Sequence, residues 1–183
     1  MLSVFSIVAS LALASTAAAN PVAARAACNP TLAGSGISIA SGGLELGYAS
    51  SVAGAPLISQ PLSATAAEFI AVTSSVSNGG FILKDVNQDN HAAGLYPSYV
   101  NGALELETLV TPQDGKQGWG FVCSTCNDPT TVGAGGVVGA SCNVVNGWTG
   151  QCLQIGSASG DPVTIVNCAD LGSGSQYFDV YLA

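Results

Sequence analysis

Four features of this chain have residue types and spacing suited to chemistry. Glu105 and Glu107 lie two apart in the alternating stretch Leu104-Glu105-Leu106-Glu107. On a strand they would share a face at about 7 Å, a separation that a pair of glycosidase carboxylates could use. The run Asp85-Val86-Asn87-Gln88-Asp89-Asn90 sets oxygen ligands at its first, third and fifth positions, as a calcium loop does. Cys123-Ser124-Thr125-Cys126 has the spacing of half a zinc site or of a redox pair. His91 is the single imidazole available as a base or a ligand.

None of the four completes a constellation. Nothing near Glu105 or Glu107 in sequence would raise the proton affinity of either, so the pair reads as the solvent face of a strand. In the calcium-like run, Asn90 replaces the Gly of the sharp turn and Tyr96 replaces the bidentate Glu, leaving a solvated polar loop. Cys123 and Cys126 have no second Cys or His pair at zinc-site spacing. There is no Gly-x-Ser-x-Gly, and the glycines from Gly133 to Gly139 miss the spacing of a dinucleotide loop. The expectation is a protein that is not an enzyme and takes no cofactor and no metal.

Composition points the same way. Three basic and eleven acidic residues among 183 make 8% charged, against about 25% in ordinary soluble domains. A net charge of −8 with three cations cannot supply the phosphate contacts of nucleic-acid binding or a basic patch for anionic lipid. No nucleic-acid partner and no membrane insertion are therefore expected. The apolar run from Val4 to Leu13, followed by Ala17-Ala18-Ala19, reads as a signal peptide over residues 1–19, with a short segment over 20–27 before the first cysteine. Six cysteines behind such a leader read as three disulfides in a secreted, extracellular protein, with the pairing left open by spacing alone.

The elements that would hold these residues are strands. Apolar positions alternate with small or polar ones between Gly, Asn and Ser from end to end, without a helical period. Three segments repeat. Leu104 to Gln117 and Val163 to Gln176 are both intervals of 13 positions, each ending in Gln-x-aromatic, at Gln117-Gly118-Trp119 and Gln176-Tyr177-Phe178. A looser copy runs from Leu57 to Phe69. Two further strands precede each segment, giving four strands in each of three units, with long loops at 85–94 and 124–140. Each unit buries one face only against its neighbours, so the repeats predict a single closed all-β domain over residues 28–183.

The third unit, Gln151-Cys152-Leu153-Gln154-Ile155 through Val163-Thr164-Ile165-Val166-Asn167-Cys168 to Gln176-Tyr177-Phe178, resembles the ricin B-type β-trefoil lectins. The resemblance is clear over these positions and fainter in the other two units. It implies a β-trefoil, a Cys152–Cys168 disulfide, core roles for Phe69, Gln117, Trp119, Gln176 and Phe178, and glycan binding in one shallow pocket per repeat. From the cysteines left over, Cys126–Cys142 and Cys28–Cys123 are the expected remaining pairs.

A sugar pocket of that family needs a carboxylate after Cys-Leu, a ring on the next strand and an Asn before the Gln. The carboxylate position carries over to Glu45 and Gln154. The ring position carries over to Gln60, Glu107 and Val166, and the Asn position to Ala66, Lys116 and Ser175, so neither survives. Glycan contacts are expected at Glu45, Tyr48, Gln154 and Asn167, with Tyr96, Tyr99 and Trp148 as the other rings near loops or strand ends. The function expected is a secreted, non-catalytic carbohydrate-binding protein whose partners are glycans or glycoproteins. The alternatives are a β-trefoil protease inhibitor acting through Asp85–Gly94 or Asn127–Ala140, and a structural, wall-associated protein.

Overall fold

A computed structural model describes residues 27–63, 66–75, 80–86, 94–110, 115–169 and 174–183. The expected leader, most of the calcium-like run and His91 lie outside the described residues.

Twelve strands and one short 3₁₀ turn, Gly174–Gln176, are described. The first unit holds β1 (Gly36–Ser41), β2 (Leu44–Tyr48), β3 (Leu57–Pro61) and β4 (Phe69–Thr73). The second holds β5 (Phe81–Asp85), β6 (Leu95–Val100), β7 (Ala103–Thr108) and β8 (Gly118–Cys126). The third holds β9 (Val137–Asn146), β10 (Cys152–Gln154), β11 (Thr164–Val166) and β12 (Phe178–Leu182). The first and last strands of each unit pair with each other and with those of the adjacent units, all antiparallel, so β1, β4, β5, β8, β9 and β12 close into a barrel. Closure removes the free sheet edges that would otherwise template aggregation. The middle strands of each unit form the hairpins β2–β3, β6–β7 and β10–β11.

Turn chemistry explains two of the connections. Val100 pairs with Ala103 and Ser41 with Leu44, which leaves two-residue loops at Asn101-Gly102 and Gly42-Gly43. All four residues have positive φ, the requirement of a type I′ turn that matches the strands' own twist.

Alternation places Phe69, Trp119 and Phe178 fully inside, one from each unit, among Ile37, Ile39, Leu57, Leu83, Leu106, Phe121 and Leu153. The glutamines two positions before Trp119 and Phe178 do matching work. The Val110 N–H donates to Gln117 Oε1 and the Ala169 N–H donates to Gln176 Oε1, both at 2.9 Å and both from seven residues upstream. Gln117 also donates through Nε2 to Thr108 O and Ser98 Oγ, each at 2.8 Å, tying the β6–β7 hairpin to the start of β8. Gln117 is buried, so Gln117→Ala leaves those partners unsatisfied. A loss of about 1–3 kcal/mol in urea unfolding is the expected result, and an unchanged midpoint would contradict this role.

The three disulfides are Cys28–Cys126, Cys123–Cys142 and Cys152–Cys168. Two expected pairs, Cys126–Cys142 and Cys28–Cys123, are thereby corrected. Cys123 and Cys142 are direct cross-strand partners on β8 and β9, with Cα atoms 3.8 Å apart and both side chains buried. Cys126 lies three positions along β8, an odd step that turns its side chain to the other face. Cys28 does lie beside Cys123, but through backbone hydrogen bonds of 2.9 and 2.8 Å, while its sulfur reaches Cys126. Three disulfides are characteristic of an oxidising, extracellular setting.

Candidate functional site

The barrel register defines one rim position three times over. Phe69 pairs with Asp85 and Trp119 with Asn146. One step beyond the Ala40–Asp179 pair, Phe178 is level with Ser41. Asp85, Asn146 and Ser41 therefore stand at equivalent points, each where one unit's hairpin meets the first strand of the next. The three points have diverged in chemistry.

Between units one and two the position is occupied from within. Tyr48 Oη and Ser51 Oγ both donate to the Asp85 carboxylate at 2.5 Å, and the Tyr48 ring packs edge-on against Phe69 with centroids 5.9 Å apart. Between units three and one, Ser41 and Gly42 border two small hollows: one of about 240 Å³ reaching Leu44, Ile155 and Gly156, and one of about 230 Å³ reaching Tyr177, Asp179 and Tyr181.

Between units two and three lies a cavity of about 660 Å³. The β6–β7 hairpin supplies Tyr99, Asn101 and Glu107, the segment before β8 supplies Lys116, and the turn after β9 supplies Trp148. Trp148 is 59% exposed. Its turn is held by the fully buried Asn146, whose Oδ1 accepts the N–H groups of Trp148 and Thr149 at 3.2 and 3.1 Å. Asn146 Nδ2 donates to Lys116 O at 3.0 Å, and the Tyr99 N–H donates to the same carbonyl at 3.1 Å. Three separate segments are thus fastened at one oxygen, and the ring is presented on a fixed turn. Lys116 Nζ lies 5.3 Å from the Trp148 ring centroid, within cation–π range. The described lining combines ring surface with the amides of Asn101 and Gln117, one carboxylate and one ammonium, a set able to stack on an apolar ring face and exchange hydrogen bonds with hydroxyls.

The expected contact residues are not gathered in this cavity. Glu45 is buried and accepts hydrogen bonds from Ser38 Oγ and, at 3.2 Å, from Gln60 Nε2, so its carboxylate is engaged by the protein's own side chains. Tyr48 is committed to Asp85 and Phe69. Gln154 lies on β10 opposite Thr164, while Val166, carried over as its ring partner, is two positions away opposite Cys152. Asn167 is exposed and its Oδ1 accepts from Gln151 Nε2 at 3.5 Å. Tyr96 is buried on β6. Of the other rings named from sequence, Tyr99 and Trp148 share the cavity. In the sequence Glu107 stood out as half of a possible carboxylate pair and as a failed ring position, Lys116 as a failed Asn position, and nothing singled out Asn101.

Asn127–Ala140, the second inhibitor loop, divides at Val137, where β9 begins. Its first part folds back on itself: Asp128 Oδ1 accepts from Thr130 N and Oγ1 at 2.8 and 2.7 Å, and those bonds hold its carboxyl below the usual carboxylate range.

A second electrostatic feature sits in unit one. Burial, and then the neighbouring Glu45 and Asp85 carboxylates, push the half-buried Glu68 carboxyl above its ordinary value of 4.5. A folded-state pKa raised in this way favours folding while Glu68 is protonated, and that contribution disappears as pH rises through the folded value. Glu68→Gln should therefore raise Tm near neutral pH and leave it unchanged well below pH 4.5. A Tm difference that stays constant across that range would contradict burial and carboxylate repulsion as the cause.

No protein-family model and no curated protein sequence matches the chain. Solved structures do match. The designed 3-fold symmetric protein ThreeFoil is similar at TM-score 0.56 and 14% identity, over 79% of this chain and 96% of that one. The fold is a β-trefoil. The trefoil is also similar to the Haemophilus ducreyi cytolethal distending toxin, at TM-score 0.56 and 13% identity, over 81% of this chain and 83% of that one. A mosquitocidal holotoxin matches at TM-score 0.58 and 13% identity, over 80% of this chain but only 17% of its own length. At such identities the likeness speaks to the fold alone.

Proposed function

We propose that this chain is a secreted, non-catalytic carbohydrate-binding β-trefoil, akin to the ricin B-like lectins in scaffold but not in pocket, and that its glycan site is the cavity between units two and three. The observation that carries this reading is Trp148, a large ring left 59% exposed on a hydrogen-bonded turn at the mouth of that cavity. A ring held on a fixed turn beside a cavity offers a flat apolar face for stacking at little cost in conformational entropy. Its neighbours Asn101, Glu107 and Lys116 supply both donors and acceptors, which sugar hydroxyls require. Glu107 is the one carboxylate among the described lining residues, whereas glycoside hydrolysis uses a pair.

The two tryptophans make the test direct. Trp119 is fully buried and Trp148 exposed, so acrylamide quenching of intrinsic fluorescence reports on Trp148. Chitotriose, cellotetraose, lactose and maltotriose serve as probes. At least one is expected to protect the fluorescence from quenching in a saturable way, and Trp148→Ala to abolish its binding. A probe that binds without protecting Trp148 would move the site elsewhere, and failure of all four, followed by a blank glycan array, would sink the reading.

A further inference from the structure

We infer that the outer face of β12 forms a cage for a quaternary ammonium head group, a site separate from the cavity at Trp148. The register that aligns Phe69, Trp119 and Phe178 also aligns their neighbours on the outer face of the barrel. One position before the core ring, and one and three positions after it, unit one has Glu68, Ile70 and Val72, and unit two has Gly118, Gly120 and Val122. Unit three has Tyr177, Asp179 and Tyr181. Phe178 and Val180 point into the barrel and are fully buried, whereas the two tyrosines flank Asp179 on the opposite face and are half-buried.

Tyr177, Asp179 and Tyr181 line a hollow of about 230 Å³ together with Ser141 and the Gly42-Gly43 turn. Asp179 is fixed by a β-bulge: Phe178 pairs with Cys142 and Val180 with Gly139, so Ala140 and Ser141 both stand opposite it. Ser141 takes a positive φ of 49°, and its N–H donates to Asp179 Oδ1 at 3.0 Å. This backbone donor orients the carboxylate and leaves its charge in place. Neither Lys84 nor Lys116, the cations among the described residues, lines the hollow. Burial, and then the Asp179 carboxylate, push the Tyr181 phenol above its ordinary value of 10.0, so the ring is uncharged throughout the neutral range.

Ring faces beside a carboxylate attract a cation through the ring quadrupole and through charge together. A methylated ammonium suits this lining: it is weakly hydrated and offers apolar methyl groups for the rings to cover. A metal ion is poorly served, because one carboxylate falls short of the six or more oxygens that calcium takes. A sugar is served less well here than at Trp148, since the described lining holds no amide and no ammonium. The net charge of −8 adds a long-range field that favours cations. The same head group is presented by free choline and by a phosphatidylcholine surface.

Isothermal titration calorimetry of the intact, disulfide-bonded chain tests the cage. Choline chloride should bind saturably, with a dissociation constant of about 1 mM or below. Dimethylbutanol, its uncharged isostere with carbon in place of nitrogen, should bind at least about tenfold more weakly, a comparison that needs no substitution. Asp179→Asn keeps an acceptor for the Ser141 N–H and removes the charge, and Tyr177→Ala removes a ring; each should weaken choline at least about tenfold. Tyr181→Ala should do the same and Tyr181→Phe should restore binding, with circular dichroism melts showing that each variant is folded. Cosedimentation with phosphatidylcholine vesicles, and not with phosphatidylglycerol vesicles, is the result for a lipid head group; choline binding without cosedimentation is the result for a free ligand. Absence of choline binding by the unsubstituted chain, equal binding of dimethylbutanol, or undiminished binding by Asp179→Asn and Tyr177→Ala overturns the cage and leaves the glycan reading untouched. Loss of oligosaccharide binding in Tyr177→Ala would make the hollow a sugar site instead.

Discussion

Replacing Trp119 by Ala is expected to remove about 3–5 kcal/mol of stability, the range for the largest core truncations. Three effects add. The ring is fully buried among the core residues of the other units, so its loss forfeits transfer energy and leaves a cavity that a closed barrel can relax into only partly. The indole Nε1 donates to Pro97 O at 3.1 Å, and that buried carbonyl loses its partner. Trp119 also begins the β8 register with Phe81 on one side and Asn146 on the other, so the defect falls where β5, β8 and β9 meet. Against a total of about 5–15 kcal/mol, such a loss approaches global unfolding. Equilibrium urea unfolding measures it, and a cost below about 1 kcal/mol would mean that Trp119 is not a threefold-related core position.

Removing the Cys28–Cys126 disulfide by the double change Cys28→Ala and Cys126→Ala should cost a similar amount. Its sulfurs join residues 98 apart, the longest span of the three. Closing a loop near 100 residues restricts the unfolded chain by about 4.7 kcal/mol on the chain-entropy account, with measured losses of about 2–5 kcal/mol for native disulfides. Both cysteines are only partly buried, so cavity formation adds little. The Cys152–Cys168 pair, separated by 16 residues, should cost less, about 3 kcal/mol on the same account. Calorimetry of the two double variants tests the ordering. A larger loss from the short loop would show that chain entropy does not govern these disulfides. Peptide mapping under non-reducing conditions separately tests the pairing, and a Cys28–Cys123 fragment would contradict it.

Much of the fold was legible because it is written in local periodicities. Strand alternation needs only residues two apart, and the shared interval of 13 positions ending in Gln-x-aromatic spans the third strand of a unit and its connection to the core strand that follows. The seven-residue reach from Val110 to Gln117 and from Ala169 to Gln176 is the physical reason that glutamine recurs. The first unit, which has Ala67 at that position, was correspondingly the looser match. Cysteine pairing was legible only inside a unit. Cys28 and Cys126 are neighbours because the segment before β1 lies along β8, and no spacing encodes that.

The candidate site was less legible than the fold. Glu45 has the right type at the right place in a motif, yet Ser38 and Gln60 enclose it, and burial cannot be read from a four-residue pattern. Trp148 and Lys116 are 32 positions apart and meet because Asn146 bridges their turns.

By itself the sequence determined the all-β class, the three units of four strands, the core aromatics and the poverty of ionisable groups, since each depends on composition or on contacts between near neighbours. Tertiary structure alone decided which side chains gather at each of the three equivalent rim positions, and which sulfurs meet between units. Those outcomes depend on side chains from different units converging at one point of a closed barrel, and closure needs the six barrel strands of all three units together.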